Sequence, residues 1–304
     1  MKKIINYIRN PRVFFKVLLV NLAPLIKSDK LYIALKWKLT MDYPLNLNSP
    51  KTFNEKLQWL KLNDRNPLYT TMVDKYKAKQ YVASIIGEEH VIPTLEVYQK
   101  VEDIDFDKLP NQFVLKCNHD SGGVVICKDK SKLDRKAALE KLRTRMNVNF
   151  FWANREWPYK NVKPCIIAEK FMTDQSQSDL GLKDYKFFCF DGKVKYLYVS
   201  EGLNNHTTAH ISFLTLDWQF APFGREDYAP FDDLPAKPTM FDELVEIAEK
   251  LSNNLHFVRV DLYQINNQIY FSEFTLHPCS GMMPFHPVEW DEKMGALLNL
   301  PKIE

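Results

Sequence analysis

The 304-residue sequence predicts an α+β protein with two lobes behind a helical front. Three observations lead there. The chain is 45% hydrophobic and 13% aromatic without low-complexity tracts, enough for one large core or two modest ones. Its texture changes near Pro164, from mainly helical segments to runs rich in β-branched and aromatic residues. Asp191-Gly192 and Asn266-Asn267 each sit between two such runs, where tight hairpin turns belong.

Taken in order, residues 1–40 read as helix with a break near Pro24, and Pro44 and Pro50 hold an extended approach. Thr52 followed by Glu55 is a capping-box pattern that opens a helix through Leu62. Another helix begins near Tyr69 or Asp74 and stops at Gly87. IPTLEVYQ and Phe113–Lys116 read as strands, and Ser131–Arg145 as a helix with Leu133, Leu139 and Leu142 on one side. CIIAEKFM, DYKFFCFDGKVKYLYVSE and AHISFLTLDWQF are strand-rich. Phe241, Leu244, Val245, Ala248 and Leu251 recur at helical spacing within Thr239–Asn253, and FVRVDLYQINNQIYFSEFTL forms two strands. The expected organisation is a helical segment over 1–68, a lobe with a glycine-rich loop over 69–168, and a lobe with a metal site over 169–304.

Charge is distributed unevenly. Residues 1–40 hold nine basic side chains against Asp29 alone, a net +8 within a chain of net +3. The apolar run Val13–Ile26, interrupted by Lys16 and Pro24, is shorter than the roughly 20 residues needed to span a bilayer. Peripheral contact of residues 1–40 with an anionic membrane competes with a packed helix whose lysines snorkel. Nucleic acid is excluded as a partner because the positive charge sits at one end, without interleaved aromatics. Five widely spaced cysteines, with no CxxC pair and no cleavable signal, point to reduced thiols in a cytoplasmic protein, which the basic segment would bring to the inner face of the membrane.

Chemistry concentrates in three stretches. In NQFVLKCNHDSGGVVICKD a strand ends in Lys116 and Ser121-Gly122-Gly123 leads into a second strand. Glycines admit close backbone approach to a phosphate, and the lysine adds a point charge, although Gly-Gly between strands also serves a plain hairpin. The spacing is neither a P-loop nor a dinucleotide fingerprint. In VRVDLYQINNQIYFSEFT, a hairpin near Asn266-Asn267 puts Asp261 and Glu273 on one face with Arg259. Those carboxylates with Thr275 suit Mg²⁺, and a structural salt bridge is the competing reading. The third stretch, IIAEKFM, can offer backbone groups to an adenine edge between apolar flanks.

His206 and His210 have i,i+4 spacing but lack the further ligands of a zinc site. His119 in the glycine loop is a candidate phosphate contact, and His277 and His286 near Gly281 are candidates for acceptor binding or proton transfer. Asp184 and Lys186 alternate onto one strand face as candidates for nucleotide or acceptor contacts.

The order of these pieces resembles the ATP-grasp superfamily, and more closely its TupA-like (teichuronopeptide-biosynthesis) branch. TFNEKLQWLKL, DKYKAKQYV, LPNQFVLKCNHDSGG, IIAEKFM, DYKFFCFDGKVKYLYV, VRVDLY and YFSEFTLHPCSG carry the resemblance, from about Leu31 to Leu300. It implies an ATP-grasp fold holding ATP between two α+β lobes, with Mg²⁺. Lys116 and Lys75 would be the phosphate-side lysines, and Ser121, Gly122 and Gly123 the flexible loop. Glu169, Lys170, Phe171 and Met172 would form the adenine hinge. Asp261 and Glu273 would ligate the metal, and Arg259 would steady the transferring phosphoryl group. Thr275 stands where the superfamily usually has Asn, and Cys117 where many relatives have Pro. His277, Ser280 and Gly281, with Asp184 and Lys186, would meet the acceptor. The implied activity is a carboxylate–amine ligase of bacterial cell-surface polysaccharide synthesis, joining a sugar carboxylate (a uronic acid) to an amino acid or other amine. A glycan kinase and a nucleotide-sugar glycosyltransferase are the alternatives.

Overall fold

Two antiparallel sheets carry the molecule, each covered by helices on its outer face. They are seen in a computed structural model that describes residues 11–174, 181–203 and 209–302. Strands β1 (Thr94–Tyr98), β2 (Phe113–Cys117), β3 (Val124–Cys127) and β4 (Ile166–Lys170) form one sheet in the order β1-β4-β2-β3. Strands β5 (Asp184–Phe190), β6 (Lys193–Glu201), β7 (His210–Leu214), β9 (Phe257–Ile265) and β10 (Gln268–Thr275) form the other, in the order β10-β9-β5-β6-β7. The short β8 (Gly224–Arg225) and β11 (Phe285–His286) pair separately.

Alternation along the strands separates the faces. In the first sheet Phe113, Leu115, Cys117, Ile166 and Ala168 bury against Ala138 and Leu142 of α6 (Arg135–Met146). That helix starts at the Asp134 cap, four residues later than the sequence reading, because a 3-10 turn occupies Lys130–Lys132. In the second sheet Tyr185, Phe187, Val258, Val260 and Leu262 bury beneath Leu244, Ile247, Ala248 and Leu251 of α8 (Phe241–Ser252). Each of the Val, Leu, Ile and Phe side chains among them contributes about 1.5–3 kcal/mol when fully buried.

The front helices are α1 (Pro11–Asn21), α2 (Asp29–Thr40), α3 (Phe53–Asn63), α4 (Leu68–Val73) and α5 (Lys75–Ile86). The break expected at Pro24 is a 3-10 turn over Ala23–Leu25, and the Thr52–Glu55 capping box is present. Arg155 fastens the α1–α2 pair, following the one-turn helix α7 (Phe151–Asn154). Its Nη2 donates to the carbonyls of Ala23 (2.7 Å) and Ile26 (2.8 Å), and its Cζ lies 4.4 Å from the Tyr32 ring centroid. A last helix, α9 (Trp290–Leu297), crosses α3.

Packing links residues on either side of positions 68/69 and 168/169. Tyr69, Met72, Val73, Ala78 and Val82 of α4 and α5 bury against the outer face of the second sheet, and Phe53 and Leu57 of α3 against the aromatic end of its inner face. Strand β4 crosses the 168/169 boundary within the first sheet. Periodicity had identified these helices, but periodicity does not name the surface that an apolar stripe covers.

Candidate active site between the two sheets

The inner face of the first sheet turns Lys116 and Glu169 away from its core, and that of the second sheet carries Asp184, Lys186, Arg259, Asp261 and Glu273. Helix α5 joins the two. Asp74 caps it by accepting from the Tyr76 and Lys77 amides, and the Asn118 side chain donates to the same oxygen at 2.9 Å. Lys75 and Lys79 therefore stand one helical turn apart, at the start of a helix held against the glycine loop.

On the first sheet the Glu169 carboxylate receives Lys79 at 2.7 Å and Lys116 at 2.6 Å. Burial would raise this carboxyl, but the two lysines outweigh burial and hold it at about 2. On the second sheet Asp261 is wholly buried and takes Arg259 through both oxygens (2.7 and 2.6 Å) and Lys186 at 2.5 Å. Lys186 also bonds Asp184, whose Oδ1 is buried without a hydrogen-bond partner, as is the Oγ of its cross-strand neighbour Ser200. Desolvation lifts the Asp184 carboxyl to about 6 despite Lys186. Tyr198 supports Arg259, accepting from its Nη1 at 3.1 Å.

Glu273 lies opposite Asp261 because of a bulge. A regular two-residue hairpin at Asn266-Asn267 would pair Asp261 with Ser272, sending Glu273 to the outer face; the register shifts between Phe271 and Glu273 and restores it to the inner one. Its partners are distant, Lys75 at 3.5 Å and Arg259 at 3.4 Å, and 34% of its side chain is exposed. Burial opposes ionisation here, yet Lys75, Lys186, Arg259 and Lys116 together keep this carboxyl at about 2. Thr275, half-buried, stands across from Arg259 on the same face.

These oxygens fit a hard cation of a particular kind. Among the described residues no group of three or more His, Cys, Asp or Glu could hold a metal. Two neighbouring carboxylates, one of them loosely engaged, instead suit Mg²⁺ that takes its remaining ligands from phosphate and water. Asp261 has little spare capacity beneath Arg259 and Lys186, and Glu273 has the freer oxygens.

Between the two sheets Lys75, Lys79, Lys116, Lys186 and Arg259 form a charged strip with Glu169, Asp184, Asp261 and Glu273. The glycine loop and His119 are both engaged within the protein. The amides of Gly122 and Gly123 donate to Asp120 Oδ1 at 3.3 and 2.9 Å, and Arg145 of α6 holds the other Asp120 oxygen. A protein carboxylate thus fills the nest that the sequence assigned to phosphate, and Ser121 points to solvent. His119 is 3% exposed, its nitrogens engaged by the Asn118 side chain (3.2 Å) and the Val148 carbonyl (3.1 Å), so it does not reach the strip.

At the hinge, β4 ends at Lys170, whose amide donates to the Pro93 carbonyl, and Phe171 and Met172 continue half-buried outside the strand. The Asn266 side chain donates to the Thr173 carbonyl at 3.0 Å, tying the hinge to the β9–β10 turn. A cavity of about 370 Å³ opens beside Lys79, lined also by Tyr76, Ile92 and Pro93.

The turn after β10 sits on α3. Cys279, Ser280 and Gly281 have consecutive φ of 50°, 55° and 65°, and a Cβ on Gly281 would come within 2.5 Å of Gln58 Nε2. Gln58 and Lys61 donate to the Ser280 carbonyl, and Ser280 Oγ donates to buried Glu156 at 2.9 Å. His277 faces Glu156 at 3.4 Å; desolvation lowers its pKa, partly opposed by that carboxylate. His286 is exposed beside Glu226 and joins no part of the strip. His206 lies outside the described residues, and His210 bonds the Pro230 carbonyl. All five cysteines are free, four of them buried.

Glu169 gives a test of this electrostatic reading. Its carboxyl is depressed in the folded state, so it stabilises the fold above the ordinary value of 4.5, and this contribution fades as pH falls towards 2. The difference is worth about 3 kcal/mol. Glu169→Gln is therefore expected to lose about 3 kcal/mol at neutral pH in urea unfolding, with the gap from wild type narrowing below pH 4.5. A gap unchanged down to pH 3 contradicts the assignment.

Facing antiparallel sheets, with lysines, arginine and carboxylates interleaved between them and a hinge strand at one side, define an ATP-grasp protein. A family model described as TupA-like ATPgrasp matches residues 55–299, and the chain belongs to that family. No curated protein sequence matches the chain. Among solved structures it is similar to D-alanine–D-alanine ligase from Bacillus anthracis complexed with ATP, at 17% identity and TM-score 0.42, over 74% of this chain and 62% of that one. It is also similar to D-alanine–D-alanine ligase from Helicobacter pylori, at 16% identity and TM-score 0.43, over 81% and 69%. A third is the ATP-grasp ligase PsnB complexed with a phosphomimetic minimal precursor, Mg and ADP, at 10% identity and TM-score 0.39, over 73% and 57%. The chain thus spans less than two thirds of the first and third of these proteins.

Proposed function

We propose that the protein is an ATP-dependent carboxylate–amine ligase, acting in bacterial cell-surface polysaccharide synthesis on a sugar carboxylate such as a uronic acid. The observation that carries the reading is the strip itself: Lys75, Lys79, Lys116, Lys186 and Arg259 interleave with Glu169, Asp184, Asp261 and Glu273. Family membership supports the ATP-dependent chemistry, and the glycan acceptor follows from the resemblance of the motifs to the teichuronopeptide branch.

Lys116 and Lys75 hold the nucleotide phosphates, with Lys116 oriented by Glu169. The hinge Glu169–Met172 receives the adenine between its apolar side chains. Arg259, made rigid by its bidentate contact with Asp261, stabilises charge on the transferring phosphoryl group. Magnesium, when held by Asp261 and Glu273 with Thr275 beside them, supplies neutralisation of the phosphate oxygens. An acceptor carboxylate oxygen attacks the γ-phosphorus, the bond to ADP breaks, and an acyl phosphate forms. The amine then attacks the acyl carbon, phosphate leaves, and the nitrogen releases a proton to give the amide. Asp184 and Lys186, with the turn His277–Gly281, line the acceptor side. Opening of the Asp120-bound glycine loop would let Ser121, Gly122 and Gly123 reach the phosphates.

The test is ADP release from Mg-ATP with uronate-containing glycans, with and without amino acids. Release that needs both carboxylate and amine supports the ligase. Release with glycan alone makes the protein a kinase, and turnover of a nucleotide sugar without ATP makes it a glycosyltransferase.

A further inference from the structure

Half of the exposed large apolar side chains on the described surface, nine of eighteen, fall between Phe14 and Leu35. Single exposed leucines are ordinary, but a concentration of this kind is not. Helix α1 is 11 residues long and buries only Leu19. Phe15, Leu18, Leu22 and Leu25 recur at three- and four-residue spacing, with Phe15 51% and Leu25 76% exposed. On α2, exposed Leu31 and Leu35 stand one turn apart.

Charge identifies what covers this surface. Arg12, Lys27, Lys30 and Lys38 are exposed among the apolar residues. The two acids of the stretch are already engaged: Asp29 faces Arg155 at 3.2 Å, and Asp42 faces Arg12 at 2.9 Å. A second copy of the same surface, related by a two-fold axis, would bring these cations against one another. An anionic phospholipid surface accepts both features, acyl chains taking the apolar stripe and headgroups the cations. The helix cannot cross a bilayer: 11 residues extend about 16 Å, and no described helix is long and apolar enough to span. It can lie flat, and Arg155, buried, holds the turn that follows it to the body through the Ala23 and Ile26 carbonyls.

We infer that residues 11–38 form a docking surface for anionic phospholipid bilayers, entered by the Phe15–Leu18–Leu22–Leu25 stripe and held by Lys27, Lys30 and Lys38. The inference is independent of the ligase reading, since it uses none of the residues between the sheets.

The test is co-sedimentation of the full chain with phosphatidylglycerol–phosphatidylcholine vesicles and with phosphatidylcholine alone. Binding to the anionic vesicles is expected to weaken with salt. Lys27→Glu/Lys30→Glu and Phe15→Ser/Leu18→Ser should each reduce it at least about tenfold, given roughly fivefold per cation near such a surface. All four side chains are exposed, so both variants should melt like wild type. Absence of binding overturns the inference, as does equal binding by the variants. So does a solution dimer that Phe15→Ser/Leu18→Ser dissociates without any vesicle binding by wild type.

Discussion

Arg259→Met is expected to lower ATP turnover about a thousandfold, the range seen when a charged transition-state donor is removed from a preorganised site. Arg259 presents a fork to Asp261, at 2.7 and 2.6 Å, and rests against Tyr198, so its guanidinium is fixed before any substrate arrives. The same contacts make it structural. Removing it leaves the fully buried Asp261 with Lys186 alone, and breaking a buried pair costs about 3–5 kcal/mol. Arg259→Lys separates the two roles. It restores a positive charge to Asp261 but not the planar fork, so stability should largely return while turnover stays depressed about a hundredfold. Recovery of both together would make Arg259 a structural ion pair, the competing reading of this motif.

Glu273→Gln should produce the second large effect, about a hundredfold loss of turnover with the Mg²⁺ titration shifted at least tenfold upward. The substitution preserves shape and removes one negative charge. Because Glu273 is 34% exposed and its cation partners are 3.4–3.5 Å away, the fold should lose no more than about 1 kcal/mol. Unchanged Mg²⁺ dependence would move the metal site away from the β9–β10 hairpin.

Much of this arrangement was legible in the sequence because it is local. Asp191-Gly192 and Asn266-Asn267 have positive φ in the hairpin turns, and the Thr52–Glu55 box caps α3 as its spacing implies. The facing of Asp261 and Glu273 was reached without the bulge at Ser272, which period-two alternation does not contain. Lys79 was missed although its signal was present, four residues after Lys75 in DKYKAKQYV, on the same helical face. Asp120 could be read as a turn-former before Gly122-Gly123, but its partner Arg145 comes from a helix 25 residues away. Glu156, Lys61 and Gln58, which hold the turn at Ser280, converge from segments with no sequence motif in common. Such convergence is decided by packing, and a single sequence carries no record of it.

The central claim is that the strip between the sheets binds Mg-ATP. Calorimetric titration of the wild-type chain with a non-hydrolysable ATP analogue, with and without Mg²⁺, tests it most directly. One site per chain, tightened by Mg²⁺ and weakened at least about tenfold in Lys116→Met, is the predicted result. No binding, or binding indifferent to both Mg²⁺ and Lys116, would contradict it.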